Sequence, residues 1–165
     1  MTMRTKPSIQ RLKELYRLEH IKRFPSIKME WRAIPQFTDA NANGLTKCII
    51  KWLQLCGHQA ERINTMGRPI DNTQIVTNCI GQQRRIGSVQ WIPSGVTKGS
   101  ADISATVAGR SVKIEVKIGR DRQSDAQRRY QLDIERSGGV YIIVRTFEDF
   151  LTWYDTFTGE ANHGN

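Results

Sequence analysis

Residues 98–145, KGSADISATVAGRSVKIEVKIGRDRQSDAQRRYQLDIERSGGVYIIVR, decide the fold. Within them DISATV (102–107) and SVKIEVK (111–117) alternate polar and apolar residues, the pattern of half-buried strands. Ala108-Gly109-Arg110 lies between and supplies a glycine for a turn. A two-residue loop at either Ala108-Gly109 or Gly109-Arg110 places Asp102 on one sheet face with Glu115 and Lys117, because paired residues point the same way. Ser104, Thr106 and Lys113 share that face. Ile103, Ala105, Val107, Val112, Ile114 and Val116 take the other, which must be the core side. A three-residue loop without a bulge would put Asp102 on the wrong face and separate the charges.

The next segment, IGRDRQ, is a basic loop. Ser124 then opens S-x-x-Q, a capping box with Gln127 at its third helical position. The helix should end near Ser137, before Gly138-Gly139, and bury Ala126, Tyr130 and Ile134. VYIIV (140–144) reads as a short strand buried on both faces. Strand, helix, strand implies a right-handed parallel crossover. Thr146 should cap a last helix over FEDFLTWYDTF (147–157), with Asp149 three residues on.

Upstream, Ser8 is the expected cap of a helix to about Phe24, ahead of Pro25. Its apolar stripe reads as packing on the domain or on a dimer mate, with Arg11, Lys13, Arg17, Lys22 and Arg23 outside it. Residues 25–37 form a connector. A second helix is predicted from about Asn43 to Cys56, with Leu45, Cys48, Ile49, Trp52, Leu53 and Cys56 in one stripe and Gly57 ending it. HQAERIN (58–64) suits a strand. Met66 to Lys98 predicts one or two short strands in a long, partly mobile loop carrying Arg68, Arg84, Arg85 and Lys98. Such a loop either closes over a substrate or is an insertion without a role.

With 165 residues the chain suits one domain with an extension, divided as residues 1–37, 38–157 and a tail at 158–165. No apolar run is long enough for a membrane span and the N-terminus has no signal-peptide core, so a cytoplasmic location is expected. The net charge of +9 points to a polyanionic partner. Arg110, Lys113, Lys117, Arg120, Arg122, Arg128 and Arg129 crowd the charged hairpin, whereas the last twenty residues hold no Lys or Arg. Cys48, Cys56 and Cys79 lack metal-ligand spacing and read as thiols.

Two carboxylates on one strand face suit a hard cation such as Mg²⁺, which takes one or two carboxylates and fills its shell with water and phosphate oxygens. A cation held there activates water and polarises a phosphodiester. Lys117 on the same side would orient or deprotonate that water, or offset transition-state charge.

Gly99-Ser100-Ala101-Asp102, then Glu115-Val116-Lys117, then Gln127 on the next helix, resembles the PD-(D/E)XK nuclease superfamily, in its branch of VRR-NUC domains and Holliday-junction resolvases. The likeness spans about Asn43 to Arg145. It implies a restriction-endonuclease-like α-β-β-β-α-β core, an α/β fold with a mixed central sheet flanked by helices, here with an N-terminal helical extension. It also implies Mg²⁺, or Mn²⁺ in its place, on Asp102, Glu115 and the Val116 backbone carbonyl, with Lys117 and Gln127 completing the catalytic set. One position departs from the pattern. Many members carry a glutamate on the first helix, eleven residues before its terminal glycine, where this chain has Thr46. That leaves open one-metal catalysis, weaker metal affinity or lost activity. Asn43, one turn earlier, is an accessory candidate with Thr46, and Asp39 and Glu61 are the nearest acids.

The expected function is metal-dependent endonucleolytic cleavage of DNA, structure-selective or weakly sequence-specific, with branched DNA as a candidate and RNA also open. Lys98, Lys113, Arg120, Arg122, Arg128, Arg84 and Arg85 would hold the phosphate backbone. A homodimer fits a branched substrate. The alternative is a weakened nuclease fold that binds nucleic acid or a partner without cutting.

Overall fold

The computed structural model describes residues 6–163. Residues 1–7 are expected from the sequence to be frayed, but Pro7 is already helical; residues 1–5, and the last two residues of the tail expected at 158–165, lie outside the described residues. Helix α1, Pro7–Arg23, begins at Pro7 rather than at a serine cap. Proline's fixed φ suits a first helical position, where its missing N–H costs nothing. Ser8 is buried in the first turn. Ile9 and Leu12 enter the core, whereas Leu18 stays exposed. Arg11 ties the helix down, bonding Asp155 at 2.7 Å and lying 4.9 Å from the Trp52 ring centre.

Helix α2, Ala42–Leu55, is capped by Asn41, whose Oδ1 accepts from the Gly44 N–H at 2.9 Å. Its predicted stripe is buried at Leu45, Cys48, Ile49, Trp52 and Leu53. Cys56 is the C-cap residue and only half-buried. Gly57 follows with φ +82°, the left-handed conformation that glycine adopts without strain. The chain then enters β1, Gln59–Arg62.

Two strands follow much later, β6 at Ile103–Val107 and β7 at Arg110–Val116. After them come α3, Asp125–Arg136, β8, Val140–Val144, and α4, Phe147–His163. The central sheet has four strands in the order β1-β6-β7-β8. Its first two pairings are antiparallel and β7 with β8 is parallel, so the sheet is mixed. One face carries Ala60, Ile103, Ala105, Val107, Val112, Ile114, Val116 and Val144 into a core shared with α1, α2 and α4. Phe147, Phe150, Leu151 and Tyr154 of α4 fill it. Helix α3 lies on the opposite face, with Tyr130 edge-on to Tyr141 at 6.3 Å between ring centres. Ala126, Tyr130 and Ile134 are half-buried there, as their spacing predicts.

Two expectations need correction. Residues 66–98 hold four strands, not one or two in a loop. These are β2, Arg68–Asp71, β3, Gln74–Thr77, β4, Gln83–Ile86, and β5, Val89–Ile92, paired β2 with β5 and β3 with β4. Short runs separated by glycine and asparagine concealed a single nested hairpin. The last helix runs on through the expected tail to His163. Gly159 does not stop it, since one interior glycine costs only about 1 kcal/mol. The Thr158 hydroxyl bonds the Tyr154 carbonyl at 2.8 Å across that turn.

Asp39 joins the ends of this core. It is buried, accepts the Phe147 N–H at 3.3 Å and bonds Lys6 Nζ at 2.9 Å. It therefore satisfies a donor at the start of α4, where negative charge also meets the helix dipole favourably. No helix among the described residues is long and apolar enough to cross a membrane.

Candidate active site

The β6–β7 turn is Ala108-Gly109, with φ +48° and +74°, and Val107 pairs Arg110. This is the two-residue loop that the alternation required. Ile103 pairs Ile114, so one step further Asp102 comes opposite Glu115 on the face away from the core. The Asp102 carbonyl accepts from the Ile63 N–H at 2.8 Å, tying this end of the hairpin to the segment after β1.

Asp102 Oδ2 accepts the Val116 N–H at 2.9 Å. The next residue, Lys117, donates its N–H to the Val144 carbonyl on the β8 side at 2.9 Å. Backbone groups alternate along a strand, so the Val116 carbonyl shares the β6 side with the Val116 N–H. Glu115 is 2% exposed and Lys117 is 6% exposed, so both charges are withdrawn from water. Lys117 Nζ lies 3.0 Å from Glu115 Oε1 and 3.3 Å from an Asp121 carboxylate oxygen, and bonds Gln127 Oε1 at 3.2 Å. The Gln127 amide donates to the same Glu115 Oε1. Glu115 Oε2 is buried with no hydrogen-bond partner among the described residues.

Gln127 reaches Glu115 because the start of α3 is fixed in two ways. The predicted capping box is present: Gln127 Oε1 accepts the Ser124 N–H at 2.9 Å and Ser124 Oγ accepts the Gln127 N–H at 3.3 Å. Gly99, at φ +86°, lets the strand entry press on the same turn. A Cβ there would come within 2.4 Å of the Ala126 carbonyl. Glycine is thus needed where the segment leading to Asp102 meets the helix that carries Gln127.

The electrostatics follow from burial. Burial pushes the Glu115 carboxyl above its ordinary range; Lys117 opposes that rise, and the Asp102 charge adds to it. Burial works against the Lys117 ammonium too, but Glu115 and Asp121 outweigh it and its pKa is raised. Lys117 is therefore a cation near neutral pH. Burial and the Glu115 charge raise the Tyr141 hydroxyl as well.

The donor set fits a hard divalent ion better than a transition metal. Among the described residues, no group of three or more His, Cys, Asp or Glu side chains is arranged for a metal. The oxygens here are Asp102, Glu115 with its unpartnered Oε2, and the carbonyl of Val116. Mg²⁺ is commonly held by one or two carboxylates, with water and substrate phosphate supplying the rest.

Among the described residues, no hydrogen bond joins Thr46 or Asn43 to this group. Thr46 is buried on α2 and donates its hydroxyl to the Ala42 carbonyl at 2.8 Å, while Asn43 is exposed. Asp39 is taken up by α4 and Lys6. Glu61 is exposed on β1 opposite Ser104, so it shares the site face at its far edge.

The basic residues divide into two sets. Lys113 lies on the site face with Nζ 2.6 Å from Ser104 Oγ, Arg128 is tied to Asp125 and the Gln123 carbonyl, and Arg85 is tied to Thr73 and Asp71. Lys98, Arg84, Arg120 and Arg122 are exposed, and no side-chain hydrogen bond or ion pair engages them among the described residues.

Four neighbours of the site escaped the sequence reading. Tyr141 pairs Lys113 across β7–β8, so it sits on the site face, 7% exposed, with its hydroxyl near Gln123 and Glu115 but in hydrogen-bond geometry with no group among the described residues. Ile143 pairs Glu115 and is 41% exposed, so β8 is open on this face rather than buried on both, because α3 covers only the Tyr141 end. The parallel register would have revealed both. Asp121 holds Lys117, and Arg145 clamps that loop by bonding the Gly119 and Asp121 carbonyls at 3.1 and 3.2 Å. No protein-family model matches this chain, and a search of curated proteins returns no match.

Proposed function

We propose that this chain is a metal-dependent nuclease of the PD-(D/E)XK type, hydrolysing DNA phosphodiester bonds without strong sequence preference. The observation that carries this reading is the cluster at the open end of the hairpin: Asp102 on the Val116 N–H, Glu115 buried 3.0 Å from the buried Lys117 Nζ, and Glu115 Oε2 with no hydrogen-bond partner among the described residues. An unpaired buried carboxylate oxygen is costly, and a cation would remove that cost. The order α2-β1-β6-β7-α3-β8 supports a restriction-endonuclease-like core, as does the β1-β6-β7-β8 sheet.

In this reading Asp102, Glu115 and the Val116 carbonyl hold Mg²⁺ or Mn²⁺. When bound, the ion polarises the phosphodiester and lowers the pKa of water. Lys117, kept protonated by Glu115 and Asp121, donates hydrogen bonds to charge developing on the scissile phosphate. Gln127 fixes the rotamers of Glu115 and Lys117 by bonding both. Lys98, Arg120 and Arg122 lie free to meet flanking phosphates.

A second reading rests on Thr46, which spends its hydroxyl within its own helix, and on the absence, among the described residues, of three acid, His or Cys side chains arranged to hold a metal. It makes the chain a module that binds DNA with little or no cutting. Incubating linear, flapped and four-way DNA with Mg²⁺ or Mn²⁺ separates the two. Metal-dependent cutting that Asp102→Asn abolishes and Lys117→Ala strongly slows, with DNA binding retained, is the expected result. Binding without cutting under either metal selects the second reading. Neither binding nor cutting rejects both.

A further inference from the structure

The hairpin of β2 to β5 is the least explained part of the molecule. Its pairs run Arg68 with Ile92 to Asp71 with Val89, then Gln74 with Ile86 to Thr77 with Gln83. Between them the Asn72 N–H bonds the Ser88 carbonyl at 3.2 Å, and beyond them the Asn78 N–H bonds the Gln82 carbonyl at 2.9 Å. Every pair keeps one register, so the two ladders form a single ribbon, interrupted where Gly87 takes φ +94°. The ribbon leaves the sheet after β1 and returns to the strand entry that carries Asp102.

Among the described residues, its strands pair only with each other. Ile75 is 68% exposed, Ile80 74% and Trp91 63%. A lone two-stranded ribbon is marginal in water, and exposed aliphatic clusters mark contact surfaces. Charge selects the kind of contact. Arg85 reaches Asp71 and Thr73 across the interruption, which shows that these odd-numbered positions share one face and that the acid there is already neutralised. The even face carries Arg68 and Arg84, both exposed and unpaired among the described residues, with Val76, Ile86 and Ile92 between them. Ile80 stands at the tip, in the turn held by the Asn78 side chain. Packing this even face on that of a second copy would bring like charges together.

We infer that this ribbon is a duplex-DNA grip: Arg68 and Arg84 meet phosphates, the ribbon lies in a groove, and Ile80 makes apolar contact at the tip. A groove of B-DNA admits a two-stranded ribbon, and apolar side chains serve as wedges against base steps. The inference rests on the proposed nuclease reading and names how that nuclease holds its substrate.

The test is fluorescence anisotropy with a labelled duplex across a salt series, in EDTA so that cutting plays no part. The wild-type chain is compared with Arg68→Ala/Arg84→Ala and with Ile80→Ser; all three substituted positions are exposed, and unchanged melting confirms folding. The double variant should lower the slope of log K against log salt by about 2 and weaken binding by on the order of tenfold per arginine near 0.1 M salt. Ile80→Ser should weaken duplex binding by about fivefold with the slope unchanged. Wild-type slope and affinity in all variants would overturn the grip and leave the nuclease reading standing. So would loss of a wild-type dimer in these variants with DNA binding intact, which would assign the ribbon to a second copy. Failure of wild type itself to bind DNA would remove both.

Discussion

Two antiparallel hairpins of this chain have opposite fates. In β6–β7 the side chains of Ile103, Ala105, Val107, Val112, Ile114 and Val116 are all buried, because β1 and β8 flank the pair and three helices cover one face. In the β2–β5 ribbon Ile75, Val76, Ile86 and Val89 stay exposed, because no third strand or helix among the described residues covers them. Strand pairing alone therefore does not make a core; neighbouring strands and helices decide whether the apolar side chains of a hairpin are buried. The buried hairpin can hold Glu115 and Lys117 in fixed, desolvated positions, which a two-stranded ribbon in water cannot do.

The strongest way to break this contrast is truncation. Ile114→Ala should cost about 2–5 kcal/mol by leaving a cavity, whereas Ile75→Ala should stay within about 0.5 kcal/mol. Urea unfolding measures both, and equal costs would show the ribbon to be packed in solution. Lys117→Ala should slow cleavage about 10²–10³-fold at saturating DNA, as expected for removing one preorganised donor. A change in affinity alone would place Lys117 with the gripping residues of the ribbon instead.

A smaller effect, about 1–3 kcal/mol, is expected for Asp39→Asn, which weakens a buried acceptor on the α4 start. Burial opposes the Asp39 charge, but Lys6 and the Phe147 N–H outweigh it, so its native pKa lies below the unfolded value. Its contribution is complete above the ordinary carboxylate range and disappears as pH falls through that depressed pKa. Melting of the two proteins should therefore converge on acidification. A constant difference would mean that the charge of Asp39 is immaterial.

Much of this site could be read without coordinates. Period-2 alternation with a two-residue turn fixed the face of Asp102, Glu115 and Lys117, and Ser124-x-x-Gln127 fixed the helix start. Those are local rules, each acting over a few residues. What escaped depends on distant pairing. Tyr141 and Ile143 join the site through a parallel register with β7, and Asp39 meets Phe147 over a hundred residues away. Residues 66–98 misled for a different reason. Their strands are four residues each and mostly exposed, so no hydrophobic period announces them. The start of α1 was misplaced because Pro7, not a capping hydroxyl, supplies it.

The central claim is that Asp102 and Glu115 form a cation site. Calorimetric titration of the full chain with Mn²⁺, without DNA, tests it most directly. One site per chain is expected, lost in Asp102→Asn and in Glu115→Gln. Because Glu115 must be ionised to bind and its pKa is raised, affinity should grow as pH climbs through that raised value and weaken below it. No heat of binding in wild type, or equal binding by both variants, would contradict the account.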